Sequence, residues 1–340
     1  LAKKLYKVYL EIFIYKGDNI FMASVATMKA VRMHAFGGPE VLQYEDAPRP
    51  KAGAGEVLVK VYAAGINPVD WKTRTNLRGQ RKASELPLIL GWDISGVIEE
   101  VGSEVTQFKP GDAVYGMIRF PQFGSAYAEY ATTPVSHITF KPATISHIEA
   151  AGVPLAALTA WQDLFEKVDL KAGQKVLVNG AAGGVGHFAV QFARVTGAHV
   201  LGTASASKLD FLRSLGVDEP IDYKATPFEQ VAQEVDVFFD TVGDAAERSL
   251  AVIKPGGDYV TVVPGFTPLE KAAEKGIRMQ SHLVYPNAGQ LAEIARLIDA
   301  GKVRSVIETV LPLPEAAKAH ELSQTGRTTG KIVLQVVDKG

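Results

Sequence analysis

Cysteine is missing altogether from these 340 residues. Its absence excludes disulfides, thiolate nucleophiles and every thiolate-ligated metal site, and it fits a cytoplasmic enzyme. A net charge is lacking as well: 36 Lys and Arg stand against 37 Asp and Glu, a formal balance of −1. Nucleic acid is therefore not an expected partner. Long apolar runs are also absent. Near the start, VYLEIFIY is broken by Glu11 and is too short to span a bilayer, so no membrane association is expected. Residues 1–27 lack the composition of a transit peptide or secretory signal and read as a disordered extension, with Met22 or Met28 as candidate starts. No internal repeat or low-complexity segment is evident.

What is present is ordinary globular material, with 47% hydrophobic and 21% charged residues, in a chain long enough for two domains. The stretch Gly173 to Arg194, GQKVLVNGAAGGVGHFAVQFAR, organises the rest. Val176, Leu177 and Val178 form a short β-branched and apolar run that stops at Asn179. A glycine-dense turn follows, and an amphipathic pattern begins at His187, so the reading is strand, tight turn, helix. Gly180, Gly183 and Gly186 stand at the G-x-x-G-x-x-G spacing of a dinucleotide-binding turn, with Ala182 where a second glycine is usual and Gly184 and Val185 in the same turn. A helix N-terminus placed there offers free N–H groups and a partial positive charge to a pyrophosphate.

From Met28 to about Ile138 the chain reads as a mostly β domain of short strands without a long helix. Beyond Gly173, strands and helices alternate, which predicts a doubly wound parallel sheet and an α/β class overall. In NAD-specific folds an acid about 20 residues beyond the fingerprint grips the ribose. Here the second strand is followed by Ser205, Ser207 and Lys208, and the first acid, Asp210, lies in the next helix. Hydroxyls and a lysine suit a 2′-phosphate, so NADPH is expected over NADH. Val242, Val262 and Pro264 follow the ends of later strands, where ligands of such sheets bind.

The whole Gly173–Arg194 stretch resembles the motif of the zinc-independent quinone oxidoreductase and zeta-crystallin family. The matching residues are Gly173, Gln174, Leu177, Ala181, Ala182, Gly183, Gly184, Gly186, Gln191 and Arg194. MKAVRMHAFGGPEVL from Met28 and TGKIVL near the C-terminus are similar to phrases of the wider medium-chain dehydrogenase/reductase superfamily. The resemblance implies a GroES-like substrate domain over 28–150 and 287–340 and a Rossmann NADPH-binding domain over 151–286. It places Asn67 and Trp92 where zinc-dependent relatives carry a cysteine and a histidine, so no zinc is expected.

By the same resemblance Asn67 lies near the nicotinamide and substrate, Thr159 packs by the nicotinamide ring, and Tyr223 covers the 2′-phosphate. Each has a plain alternative: Asn67 a turn before Pro68, Thr159 a hydroxyl bonded to its own helix. Tyr127 is a further catalytic candidate, although aromatics at alternate strand positions usually belong to a core. Asp70 and Arg74 are expected to pair with each other, and Asp93 to fix its turn. The activity implied is hydride transfer from NADPH to a quinone or α,β-unsaturated carbonyl by a homodimer. The alternatives are a trans-2-enoyl thioester reductase, for which basic residues near the cleft look too few, and an NADPH-binding sensor or structural protein.

Overall fold

The computed structural model describes residues 26–77, 79, 81–263 and 269–337 in full, and residues 11–16 and 19–24 as backbone. The extension is not without structure: Glu11–Lys16 pairs antiparallel with Asn19–Ser24.

The first layer is an open barrel. A seven-stranded sheet runs Ile138–Phe140, Ala113–Met117, Asp93–Val101, Glu56–Ile66, Lys331–Gln335 and Ile307–Pro312, with Tyr130–Pro134 pairing the first half of Glu56–Ile66. Leu42–Pro48, Thr27–Met33 and Leu88–Ile89 form a smaller sheet beside it. Glu56–Ile66 is the central strand because its Val57, Val59, Val61, Ala64 and Ile66 all face a buried core shared with Ile94, Ile98 and Leu334. One short helix interrupts the β-rich part, Pro68–Arg74, begun by a proline at its first turn, where a missing N–H costs nothing.

The second layer is a parallel sheet of six strands: β1 (Lys175–Asn179), β2 (His199–Ala204), β3 (Glu219–Asp222), β4 (Val235–Asp240), β5 (Ile253–Thr261) and β6 (Arg278–Ser281). Their order is β3-β2-β1-β4-β5-β6, every neighbour parallel. Val176, Leu177, Val178, Val237, Phe238 and Phe239 have no solvent exposure, as required of strands covered on both faces.

Helix Ala288–Asp299 connects the layers. Asn287 caps it by accepting a hydrogen bond from the Gln290 amide at 3.0 Å, worth about 1 kcal/mol. Its Leu291, Ile294, Ala295 and Ile298 are buried in one core with Val176 and Phe188. The hydroxyl of Tyr115, from the barrel, donates to the Leu291 carbonyl at 2.6 Å. The C-terminal strand then returns to the barrel in the register Ile332↔Ile66, which sets Lys331 beside Asn67.

Candidate active site

A cleft of about 1200 Å³ opens between the two layers at the C-terminal ends of the parallel strands. Its floor is the turn after β1. Gly180 has φ +77°, a conformation that an L side chain adopts only with strain. The first helix of the sheet, Gly186–Thr196, starts so close to this turn that a Cβ on Gly186 would lie 2.3 Å from the Gly180 carbonyl oxygen. A Cβ on Gly183 would lie 3.3 Å from the Gly180 carbonyl oxygen and one on Gly184 3.4 Å from the Lys331 side chain; with Ala182 and Val185 these two glycines line the cleft.

A polar network holds the strand ends in place. The Gly180 amide donates to Thr203 Oγ1 at 3.0 Å, and Thr203 donates to Asn179 Oδ1 at 2.8 Å. Asn179 Nδ2 donates to the buried Asp240, which also accepts from the amides of Val242 and Gly243 and from the Tyr259 hydroxyl. Asp240 therefore shapes the loop that presents Val242 to the cleft. Val262 lines it from the next strand end, and Pro264 lies outside the described residues.

At one end of the cleft Ser205, Ser207, Lys208 and Tyr223 line the wall together. β2 ends at Ala204 without a carboxylate. Arg327, unnoticed in the sequence, joins them, and its carbonyl accepts from Lys208 Nζ at 2.6 Å. Cationic residues exceed the number expected from sequence: Lys72, Arg81, Lys208, Lys224, Arg248, Arg327 and Lys331 line the cleft, against the carboxylate of Asp244. This balance favours a polyanionic ligand.

At the other end Asn67, Trp92, Phe120, Leu155 and Thr159 line the wall. Thr159 turns its hydroxyl back to the Leu155 carbonyl at 2.7 Å, while its side chain still borders the cleft. Asn67 is 1% exposed, and its amide is held at both ends. Lys331 Nζ donates to Oδ1, and Nδ2 donates to Asp93 Oδ2 at 2.8 Å. The side chain is thus part of a buried charge cluster, which the turn reading does not explain. Asp93 has more than a turn to fix: it accepts from the Leu155 amide at 2.9 Å and lies 4.0 Å from Lys331 Nζ. Burial pushes Asp93 up to about 6 despite Lys331 and pushes Lys331 down despite the two carboxylates.

Tyr127 does not reach the cleft. It is fully buried in the barrel core and donates to Asp70 Oδ2 at 2.7 Å, so its place is behind Asp70. The expected Asp70–Arg74 pair gives way to other partners. Arg74 ties its helix to helix Ala316–Gln324 through Gln324 at 2.9 Å and His320 at 3.3 Å, and reaches the Gly37 carbonyl. Asp70 accepts from the Asn67 amide and from Tyr127 on one oxygen, and its Oδ1 is buried without a hydrogen-bond partner.

Burial pushes Asp70 up to about 7 from an ordinary 3.8. A carboxyl raised on folding stabilises below its unfolded value and loses that contribution as pH rises through the folded one, here between about pH 4 and 7. Asp70→Asn keeps an oxygen for Asn67 and Tyr127 and places an NH₂ at the orphaned position. Urea unfolding at pH 5 and pH 8 is expected to show the variant gaining on the parent at pH 8. An equal difference at both pH values would contradict the burial of a raised Asp70.

The comparisons agree with this geometry. Residues 53–143 match the model of the alcohol dehydrogenase GroES-like domain and residues 215–334 that of the zinc-binding dehydrogenase. A 2-methylene-furan-3-one reductase of Solanum lycopersicum is 38% identical over 91% of this chain and 79% of its own length. The chloroplastic NADPH-dependent alkenal/one oxidoreductase of Arabidopsis thaliana is 37% identical over 90% of this chain and 79% of its own. The solved quinone oxidoreductase of Coxiella burnetii superposes with a TM-score of 0.85 at 36% identity, over 92% of this chain and all of that one, 100%. With that fold, that glycine turn and relatives of this identity over most of its length, the chain belongs to the quinone oxidoreductase family of the medium-chain dehydrogenase/reductase superfamily.

Proposed function

We propose that this protein is an NADPH-dependent reductase of quinones or α,β-unsaturated carbonyls. The observation that carries the reading is the single cleft that joins the glycine turn, a cationic end without a ribose-binding acid, and an apolar end around Asn67. The names of the tomato and Arabidopsis relatives point the same way. NADPH would supply a hydride.

The glycine turn at Gly183 and Gly184, which lines the cleft, would receive the pyrophosphate, and Ser205, Lys208 and Tyr223 the 2′-phosphate. Trp92, Phe120, Leu155 and Val284 exclude water from the acceptor, and Asn67, clamped by Lys331 and Asp93, offers a fixed amide edge. Zinc does not fit the Asn67–Trp92 position: the Asn67 oxygen is taken by a lysine, and the indole N–H of Trp92 donates to the Gln122 carbonyl. We take the enzyme to be cytoplasmic; among the described residues no helix is long and apolar enough to cross a membrane. A homodimer is supported by the outer edge of β6, which pairs with no further strand among the described residues.

The test is oxidation of NADPH with a panel of quinones, alkenals and enoyl thioesters. Turnover of quinones or alkenals is expected. NADPH binding with no turnover on any acceptor would favour the sensor reading, and turnover of thioesters alone the enoyl reductase. In the same assay Asn67→Ala should lower kcat by about two- to ten-fold, the worth of one hydrogen bond. A variant that melts early but turns over normally while folded would make Asn67 structural.

A further inference from the structure

The helix Pro154–Trp161 does not end regularly but widens into a π-turn over Gln162–Lys167, a form that costs hydrogen-bond geometry and is often tied to function. The turn carries Asp163 into the interior. There it has no solvent exposure, and neither carboxylate oxygen has a hydrogen-bond partner. The group facing it is Nδ1 of His282, 3.4 Å from Oδ1, within ion-pair range. That nitrogen has no other hydrogen bond. The His282 side chain is 12% exposed, and it lines the cleft.

The rest of the turn fastens the segment that holds this histidine. Gln162 donates to the Tyr285 carbonyl at 2.9 Å and accepts from its amide at 3.1 Å, and the Tyr285 hydroxyl donates to Glu166. The charged and titratable groups around His282 are thus Asp163, with Lys167 acting on it, from the π-turn, and Tyr285, whose ring lies 6.0 Å away and is held by Glu166. Burial pushes Asp163 up to about 6, with His282 pulling the other way.

Sheet order places His282 at the reacting end. It follows Ser281, the last residue of β6, while Ser205, Lys208 and Tyr223 follow β2 and β3 at the opposite edge. A dinucleotide with its 2′-phosphate at that edge directs its nicotinamide toward the β4–β6 side. Val284 packs in one core with Trp92 and Leu155, and the Leu155 amide is bound to Asp93 of the Asn67 cluster.

We propose that His282, oriented by Asp163, is the proton donor of the reduction; this rests on the quinone and enone reading above. As hydride arrives at the β-carbon of an enone, the C=C electron pair moves onto the α-carbon and carbonyl oxygen. The imidazolium gives that enolate the proton of the ring nitrogen not turned to Asp163 and recovers one from solvent. The balance is NADPH, one proton and the enone in, NADP⁺ and the saturated carbonyl out. Asp163, 3.4 Å from Nδ1, fixes the orientation of the ring.

His282→Gln and Asp163→Asn test this in the full chain. His282→Gln is expected to lower kcat at least ten-fold and to abolish the fall of kcat with rising pH, while NADPH affinity by fluorescence stays within two-fold. Asp163→Asn, acting through the orientation of the ring, is expected to lower kcat in the same assay while KM for the acceptor and NADPH affinity stay within two-fold. An unchanged kcat in His282→Gln overturns the assignment, as does an Asp163→Asn variant with the kcat of the parent. So does a variant that melts early yet turns over normally while folded. A parent inactive on every quinone and enone would instead sink the underlying reading.

Discussion

Lys331→Met is expected to cost about 3–5 kcal/mol of folding stability near pH 8, the usual penalty for removing one partner of a buried ion pair. Lys331 is 3% exposed and donates to Asn67 Oδ1 and the Ile66 carbonyl. Without it, Asp93 keeps its bonds to Asn67 and Leu155 but has no cation beside it, and the Asn67 oxygen has no donor. The cost should depend on pH. Lys331 now holds Asp93 down against burial, so in the variant that carboxyl rises further. A carboxyl raised on folding loses stability as pH increases, and the deficit should therefore be smaller at pH 5, where Asp93 can take up a proton. Turnover should fall as well, since the amide edge of Asn67 is no longer clamped. Urea unfolding at pH 5 and pH 8 measures the effect. A loss under 1 kcal/mol at pH 8, or one equal at both pH values, would mean that the lysine is not the counter-charge of this cluster.

How much of this site could be read in the sequence depends on how local each requirement is. The glycine turn was legible because its demands are set by the backbone within a few residues: a positive φ at Gly180 and a contact at Gly186 too close for a Cβ. Ser205 and Lys208 could be placed on the cleft wall because they follow an apolar strand, whereas Tyr223 came only from the family resemblance, since Glu219–Asp222 before it has no apolar run. The cluster around Asn67 was not legible. Lys331 meets Asn67 across 264 positions of sequence, and only the register Ile332↔Ile66 brings them together. A signal was present, a lysine opening an otherwise apolar run in TGKIVL, but nothing in the run says what it faces. Tyr127 misled in the opposite direction: its spacing suited either a core or a site, and the barrel took it into the core. Asp163 and His282 lie 119 residues apart in sequence and share no motif at all; the irregular π-turn that joins them leaves no periodic trace.

Lys208→Glu is expected to weaken NADPH binding by about ten- to a hundred-fold and to leave NADH within two-fold. The structure puts Lys208 on the cleft wall with Ser205, Ser207, Tyr223 and Arg327, and one of its three donors is spent on the Arg327 carbonyl. The other two remain for a phosphate. A hydrogen bond to a charged group contributes about 1.5–3 kcal/mol, which is the stated range in affinity, and the introduced carboxylate adds repulsion. NADH carries an uncharged 2′-hydroxyl in place of that phosphate, so neither the lost ionic bond nor the repulsion applies to it. Titration of cofactor fluorescence with both nucleotides at one fixed ionic strength decides the matter, because salt screens the phosphate contact selectively. If both cofactors weaken alike, Lys208 supports the fold of its turn and the 2′-phosphate lies elsewhere. If NADPH loses more than ten-fold alone, the cationic end of the cleft is the determinant of cofactor choice.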